Sequence, residues 1–178
     1  IGEIIGDPRR PGLIILGVGQ ARTGGLRGDM VTNIEEMTAS VRASLKEAEL
    51  MAGVAVDRVY AGIGGDHVRA TSSMGVVAVS EADVTADDIE RVHVVAGAVA
   101  LPPDREMLHA IPQEYRVDQQ RGIKDPLGMA GVRLEAEVFL VTCAITASAN
   151  IRKAVNRAGY RVQELVLEPL AGARAVLT

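Results

Sequence analysis

The stretch that most limits what this chain can fold into runs from Val132 to Glu168, VRLEAEVFLVTCAITASANIRKAVNRAGYRVQELVLE. Apolar and charged residues alternate from Val132 to Glu137, and the run is wholly apolar from Val138 to Val141. That pattern predicts one strand, half exposed where it starts and buried where it ends. Ile151, Val155 and Ala158 then recur at helical spacing, which predicts a helix over about Ala149 to Ala158, with Gly159 at the left-handed position that stops it. Arg161 to Leu167 reads as a second strand. Strand, helix, strand makes a βαβ unit, whose two strands are expected to be parallel and whose connection is expected to be right-handed, so the fold class is α/β.

The chain before this unit has a different rhythm. Two apolar runs flank Gly6-Asp7-Pro8 to Pro11-Gly12, residues that supply turn dihedrals, and predict a β-hairpin. Asn33, with Glu36 three residues on, predicts the capped start of a long amphipathic helix through Ile34, Met37, Val41, Ala48 and Ala52, stopped by Gly53. RVYAGIGGDHV and GVVAV read as strands separated by RATSSM. Thr85 and Asp88 open a second helix with apolar face Ile89, Val92, Ala96 and Val99, ended by Pro102-Pro103. EMLHAIPQEYRV is a strand that Pro112 confines to an edge or to a bulge, because proline cannot donate to the ladder. The middle of the chain, Val59 to Glu137, therefore reads as a small α+β insert between parts of a parallel sheet.

Composition narrows the function. With 178 residues, 48% hydrophobic and 24% charged, the chain can bury an ordinary core, and its apolar runs are far shorter than a membrane span. A net charge of −4 without a basic cluster argues against a nucleic-acid partner. The first residues include Glu3 and Asp7 where a targeting segment would be basic and then apolar. The single Cys143 lies in an apolar strand pattern, where a free thiol acts as a small core residue, and points to a reducing, cytoplasmic setting.

No catalytic or metal constellation stands out. His67, His93 and His109 are scattered over a turn, a helix and a strand, and no paired cysteines accompany them, so no metal site is expected. GIGGDH and GVGQARTGG are Gly-rich but fit neither the phosphate loop nor the dinucleotide fingerprint, and read as tight turns. Asp87, Asp88 and Glu90 begin a helix, where acids complement its positive end. Glu168 is the most suggestive acid: it follows a buried strand and precedes Pro169, and ligand groups in α/β sheets collect at the carboxyl ends of strands.

The strings HAIPQEYRVD, GIKDPLGMAGVRLE and LEPLA, with GDMVTNIEEMTASVRASLKEAELMAG and RVYAGIGGDHV, resemble the FtsA family of bacterial cell-division proteins across essentially the whole chain. The resemblance implies a partial actin/Hsp70-like (ribonuclease H-like) subdomain 1A, residues 1–58 and 138–178, with the α+β subdomain 1C inserted as residues 59–137. It implies a protein at the cytoplasmic face of the inner membrane and the division septum. There the family anchors FtsZ, through parts outside this chain, associates with other FtsA subunits, and recruits later division proteins through 1C. ATP and magnesium are the cofactors it implies for the complete protein, a weak ATPase in which Glu168 matches a position near the magnesium and the attacking water. Both phosphate-binding loops are expected outside Ile1–Thr178, so the chain itself is expected to be no enzyme and to bind no cofactor, nucleic acid or membrane. The competing readings within the same superfamily are an actin-like type IV pilus assembly protein and a sugar-kinase-like phosphotransferase.

Overall fold

In the computed structural model, residues 1–7 and 10–177 are described; the expected hairpin tip at Pro8 and the terminal Thr178 lie outside them. The chain divides into two units, one made of residues 1–66 and 146–178 and the other of His67–Ile145.

In the first unit, β1 (Gly2–Asp7) pairs antiparallel with β2 (Arg10–Ile15), as the turn residues predict. A short hairpin, β3 (Leu26–Arg27) and β4 (Met30–Val31), precedes α1 (Ile34–Ala52). Asn33 caps α1 as expected: its side-chain oxygen accepts from the backbone N–H of Glu35 and Glu36, and Gly53 ends the helix at φ 70°. The segment before β3 lies against this helix so closely that a β-carbon on Gly17 would stand 2.3 Å from the Ala48 carbonyl oxygen. β5 (Arg58–Ile63) pairs parallel with β10 (Arg161–Leu167). α3 (Ile145–Ala158) precedes β10 in the chain, and α4 (Glu168–Val176) follows β10 directly, with proline in its first turn. The buried side chains include Ala48, Ile63, Ile151, Val155, Tyr160 and Leu165.

The second unit is one four-stranded antiparallel sheet under a single helix. Its strands are β6 (Arg69–Ala78), β7 (Arg105–Val117), β8 (Gln120–Ile123) and β9 (Arg133–Ala144), in the order β6-β9-β7-β8. α2 (Ala86–Gly97) covers one face, where Val92 and Ala96 are fully buried in a cluster with Leu134, Ala136, Val138 and Leu140 of β9. Thr85 and Asp88 form the expected reciprocal cap.

Several expectations change. β10 takes β5 as its parallel partner, while β9 belongs to the antiparallel sheet, so the C-terminal βαβ reading has the right elements and the wrong pair. The insert consequently spans His67–Ile145 and not Val59 to Glu137, because β5 is held by β10 and the whole of β9 is held by β6 and β7. RATSSM is part of one continuous β6, since every residue from Arg69 to Ala78 finds a partner on β9. β9 is buried at its start as well as its end: Leu134 and Ala136 face α2, and Glu135 is neutralised by Arg116 and Arg133. Phe139, inside the apolar run, is 41% exposed. α2 ends at Gly97, ahead of Pro102, and Val99 lies beyond it, exposed. α3 begins at Ile145, earlier than its apolar spacing indicates. β7 accommodates Pro112 with a register shift between Pro112 and Glu114, the bulge that a missing donor favours.

Candidate functional site

β5 and β10 run side by side, with Leu167 opposite Ile63, so Gly64 and Glu168 leave the two strands together at their carboxyl ends. Gly62 makes room for the acid: a β-carbon there would lie 2.7 Å from both Cγ and Oε1 of Glu168. A second carboxylate sits over the following turn. Asp29 holds φ 60° between β3 and β4, and a β-carbon on Gly65 would lie 2.6 Å from the Asp29 β-carbon. Both acids line a cavity of about 270 Å³ whose walls include Met37, Val41 and Leu45 of α1 and Ile151 and Val155 of α3.

Carboxylates in such a position suit a hydrated divalent ion or the orientation of a water molecule. The sequence singles out Glu168, and the structure places it at the end of a parallel strand pair. Asp29 was missed; the signal available for it is the Gly28-Asp29 pair, both at positive φ, which forms the turn that presents it. The described residues lining the cavity include no Lys, Arg or His. No group of three or more His, Cys, Asp or Glu able to hold a metal forms among the described residues, in keeping with the separate placement of His67, His93 and His109 on the loop before β6, α2 and β7.

In the other unit the acids at the start of α2 divide. Asp88 is fully buried, accepts from the N–H and hydroxyl of Ser80 and of Thr85, and pairs with Arg91. These donors, the Thr85 backbone first, hold its carboxyl well below the usual carboxylate range. Asp87 and Glu90 are exposed, and Asp87 is 3.2 Å from Arg91. His93 and Tyr115 share a hydrogen bond of 2.6 Å under the helix. Burial pushes the His93 imidazole below its ordinary value, and burial together with the charge of Asp125 pushes the Tyr115 phenol up. Cys143 is fully buried, as its strand position predicts.

Residues 65–142 match the family described as the SHS2 domain inserted in FtsA, almost coextensive with the four-stranded unit. The whole chain is 44% identical to the cell division protein FtsA of Pseudomonas aeruginosa, 42% to that of Neisseria meningitidis and 38% to that of Escherichia coli. The chain is FtsA-like from end to end. It spans 42% of the length of these curated FtsA relatives. Among solved structures, a chain of the PilM-PilN type IV pilus biogenesis complex superposes with a TM-score of 0.54 at 18% identity, covering 97% of this chain and 45% of that one. At that identity the likeness shows the fold alone, which is consistent with part of an actin-like architecture carrying the FtsA insertion. Among the described residues no helix is long and apolar enough to cross a membrane.

Proposed function

We propose that the chain acts in bacterial cell division as the FtsA segment in which the interaction subdomain, His67–Ile145, is joined to part of the ATPase-type core. The observation that carries this reading is the end-to-end similarity to FtsA relatives at 38–44% identity, with the SHS2 match laid over the four-stranded unit. In this reading the insert supplies a surface for other FtsA subunits and for later division proteins. FtsZ anchoring and membrane attachment at the cytoplasmic face belong to other parts of the complete protein.

For the core, the reading includes ATP and magnesium in the complete protein. Glu168 and Asp29, spaced around Gly62 to Gly65, fit the hydration shell of a magnesium ion. The lining residues do not fit a triphosphate: two acids and no cation would repel it. In this reading Glu168 holds or orients water and touches no phosphate.

The direct test is complementation. The matching segment of Escherichia coli FtsA is replaced by this chain in a strain depleted of its own FtsA. Restored division is expected, and persistent filamentation with the chimera stably expressed would count against the reading. A two-hybrid assay with Asp87→Lys and Glu90→Lys, which reverse exposed charges on α2, then asks whether that helix face carries the partner contacts.

A further inference from the structure

β6 is the outer strand of its sheet, and it pairs with β9 from Arg69 to Ala78 without a bulge. The N–H of Val79 donates to Val132 on the β9 side, which sets the alternation of backbone groups along the strand. Odd-numbered residues therefore turn their N–H and C=O toward β9, and Ala70, Ser72, Met74, Val76 and Ala78 turn theirs away. The Arg91 guanidinium donates to the Ala78 carbonyl, in the outward direction this alternation requires.

Edge strands in soluble proteins are ordinarily blunted by charge, proline or a bulge. From Ala70 to Ala78 β6 has no charged residue, no proline and no bulge. Gly75 lies against α2, so Ser72, Met74 and Val76 project from the opposite face, where all three are exposed. Glu137, directly across from Met74, leans toward this edge and accepts from the Ser72 hydroxyl at 2.7 Å. The unit as a whole carries seven Arg or Lys against twelve Asp or Glu between His67 and Ile145.

We propose that β6 is a docking edge for an extended basic peptide, which adds to the sheet as a fifth strand. This rests on the reading of His67–Ile145 as an interaction subdomain and names its surface and the chemistry of its partner. The outward groups of Ala70 to Val76 supply main-chain hydrogen bonds, and Lys or Arg on the Met74 side meets the Glu137 carboxylate. A second copy of the chain fits less well, because β6 against β6 brings two acidic units together.

The test titrates residues 1–178 into a fluorescein-labelled decapeptide of alternating Arg and Thr, read by anisotropy, with a Glu-Thr decapeptide as counterpart. Met74→Pro removes an outward N–H and leaves the β6–β9 ladder intact; Ser72→Lys, at an exposed position on the same edge, serves if the proline variant fails to fold. Saturable binding of the Arg peptide is expected, weakened about fivefold or more by Met74→Pro, the size of one lost hydrogen bond, and weakened also by Ser72→Lys, whose ammonium repels the basic peptide and competes for Glu137. Glu137→Gln is expected to weaken binding and flatten its dependence on salt, and the Glu peptide is expected not to bind. Failure of the Arg peptide to bind overturns the proposal, as does binding that both edge variants leave unchanged. A chain that sediments as a dimer and is returned to monomer by Met74→Pro also overturns it, by giving the edge to a second copy. In each of these cases the complementation result separately decides whether the interaction-subdomain reading stands.

Discussion

A β-carbon on Gly75 would stand 2.2 Å from the carbonyl oxygen of Val92 and 2.8 Å from the backbone nitrogen of Ala96. Helix α2 therefore rests its backbone on β6 at this residue, and the Ser73 hydroxyl, which donates to the Ala96 carbonyl at 2.8 Å, holds the same contact two residues away. Neither neighbour is a side-chain tip that could turn aside. Gly75→Ala is expected to lift the helix off the sheet and destabilise the His67–Ile145 unit by about 3 kcal/mol, the upper end of overpacking costs. Chemical denaturation of the two proteins at equal concentration measures it; a loss under about 0.5 kcal/mol would mean that helix and strand separate freely.

Asp88 gives a prediction with a sign. Its carboxyl is held below its ordinary value of 3.8 in the folded state, first by the Thr85 backbone and then by Ser80 and Thr85 side chains and Arg91. A depressed carboxylate contributes stability that is complete above the unfolded value and is lost as pH falls through the folded one. Asp88→Asn is therefore expected to be less stable than the native chain at neutral pH, by a margin that narrows steadily below about pH 4. Thermal melts of both proteins across the acid range check this, and a margin independent of pH would remove the charge from the explanation.

Local signals were legible in the sequence, and long-range pairing was not. Asn33, Gly53, Thr85, Asp88 and Gly159 each sit where their side chain or backbone freedom predicts, because a cap is decided within a few residues. The partner of β10 is different: β5 precedes it by about a hundred residues, and an apolar strand carries no mark of which neighbour it will take. β9 misled for the same reason, since its apolar run suits a buried parallel strand and a central antiparallel one equally. For the site, Glu168 was visible from its place after a strand and before a proline. Asp29 was not, because only the fold brings its turn to Gly65.

His93 and Tyr115 link α2 to β7 through one 2.6 Å hydrogen bond. Burial lowers the His93 value below 6.5, so the folded chain resists protonation that the unfolded chain accepts. Stability is thus expected to fall as pH drops below 6.5 toward the folded value and to level off beyond it, as far as His93 is concerned. His93→Gln is expected to flatten this step, and Tyr115→Phe to cost about 1 kcal/mol at neutral pH by taking away the phenolic partner. Denaturant midpoints between pH 5 and 8, roughly the range over which histidine titrates, resolve the two effects.

Glu168 crosses Gly62 in a way that separates packing from chemistry. The atoms a β-carbon on Gly62 would meet are the Cγ, Oε1 and Cδ of a flexible, exposed side chain, so Gly62→Ala is expected to displace the carboxylate while changing stability by less than about 1 kcal/mol. With Asp29 and Glu168 as the charged groups of the cavity lining, the chain by itself is expected to show no saturable ATP binding at micromolar concentration in calorimetry with magnesium present. Such binding would overturn the assignment of the phosphate contacts to other parts of the complete protein. In the complete protein, Glu168→Gln and Gly62→Ala are both expected to lower ATP turnover with little change in nucleotide affinity, since a group that orients water acts on the reaction and not on the bound phosphates. Equal losses in affinity and turnover would instead make Glu168 a binding residue.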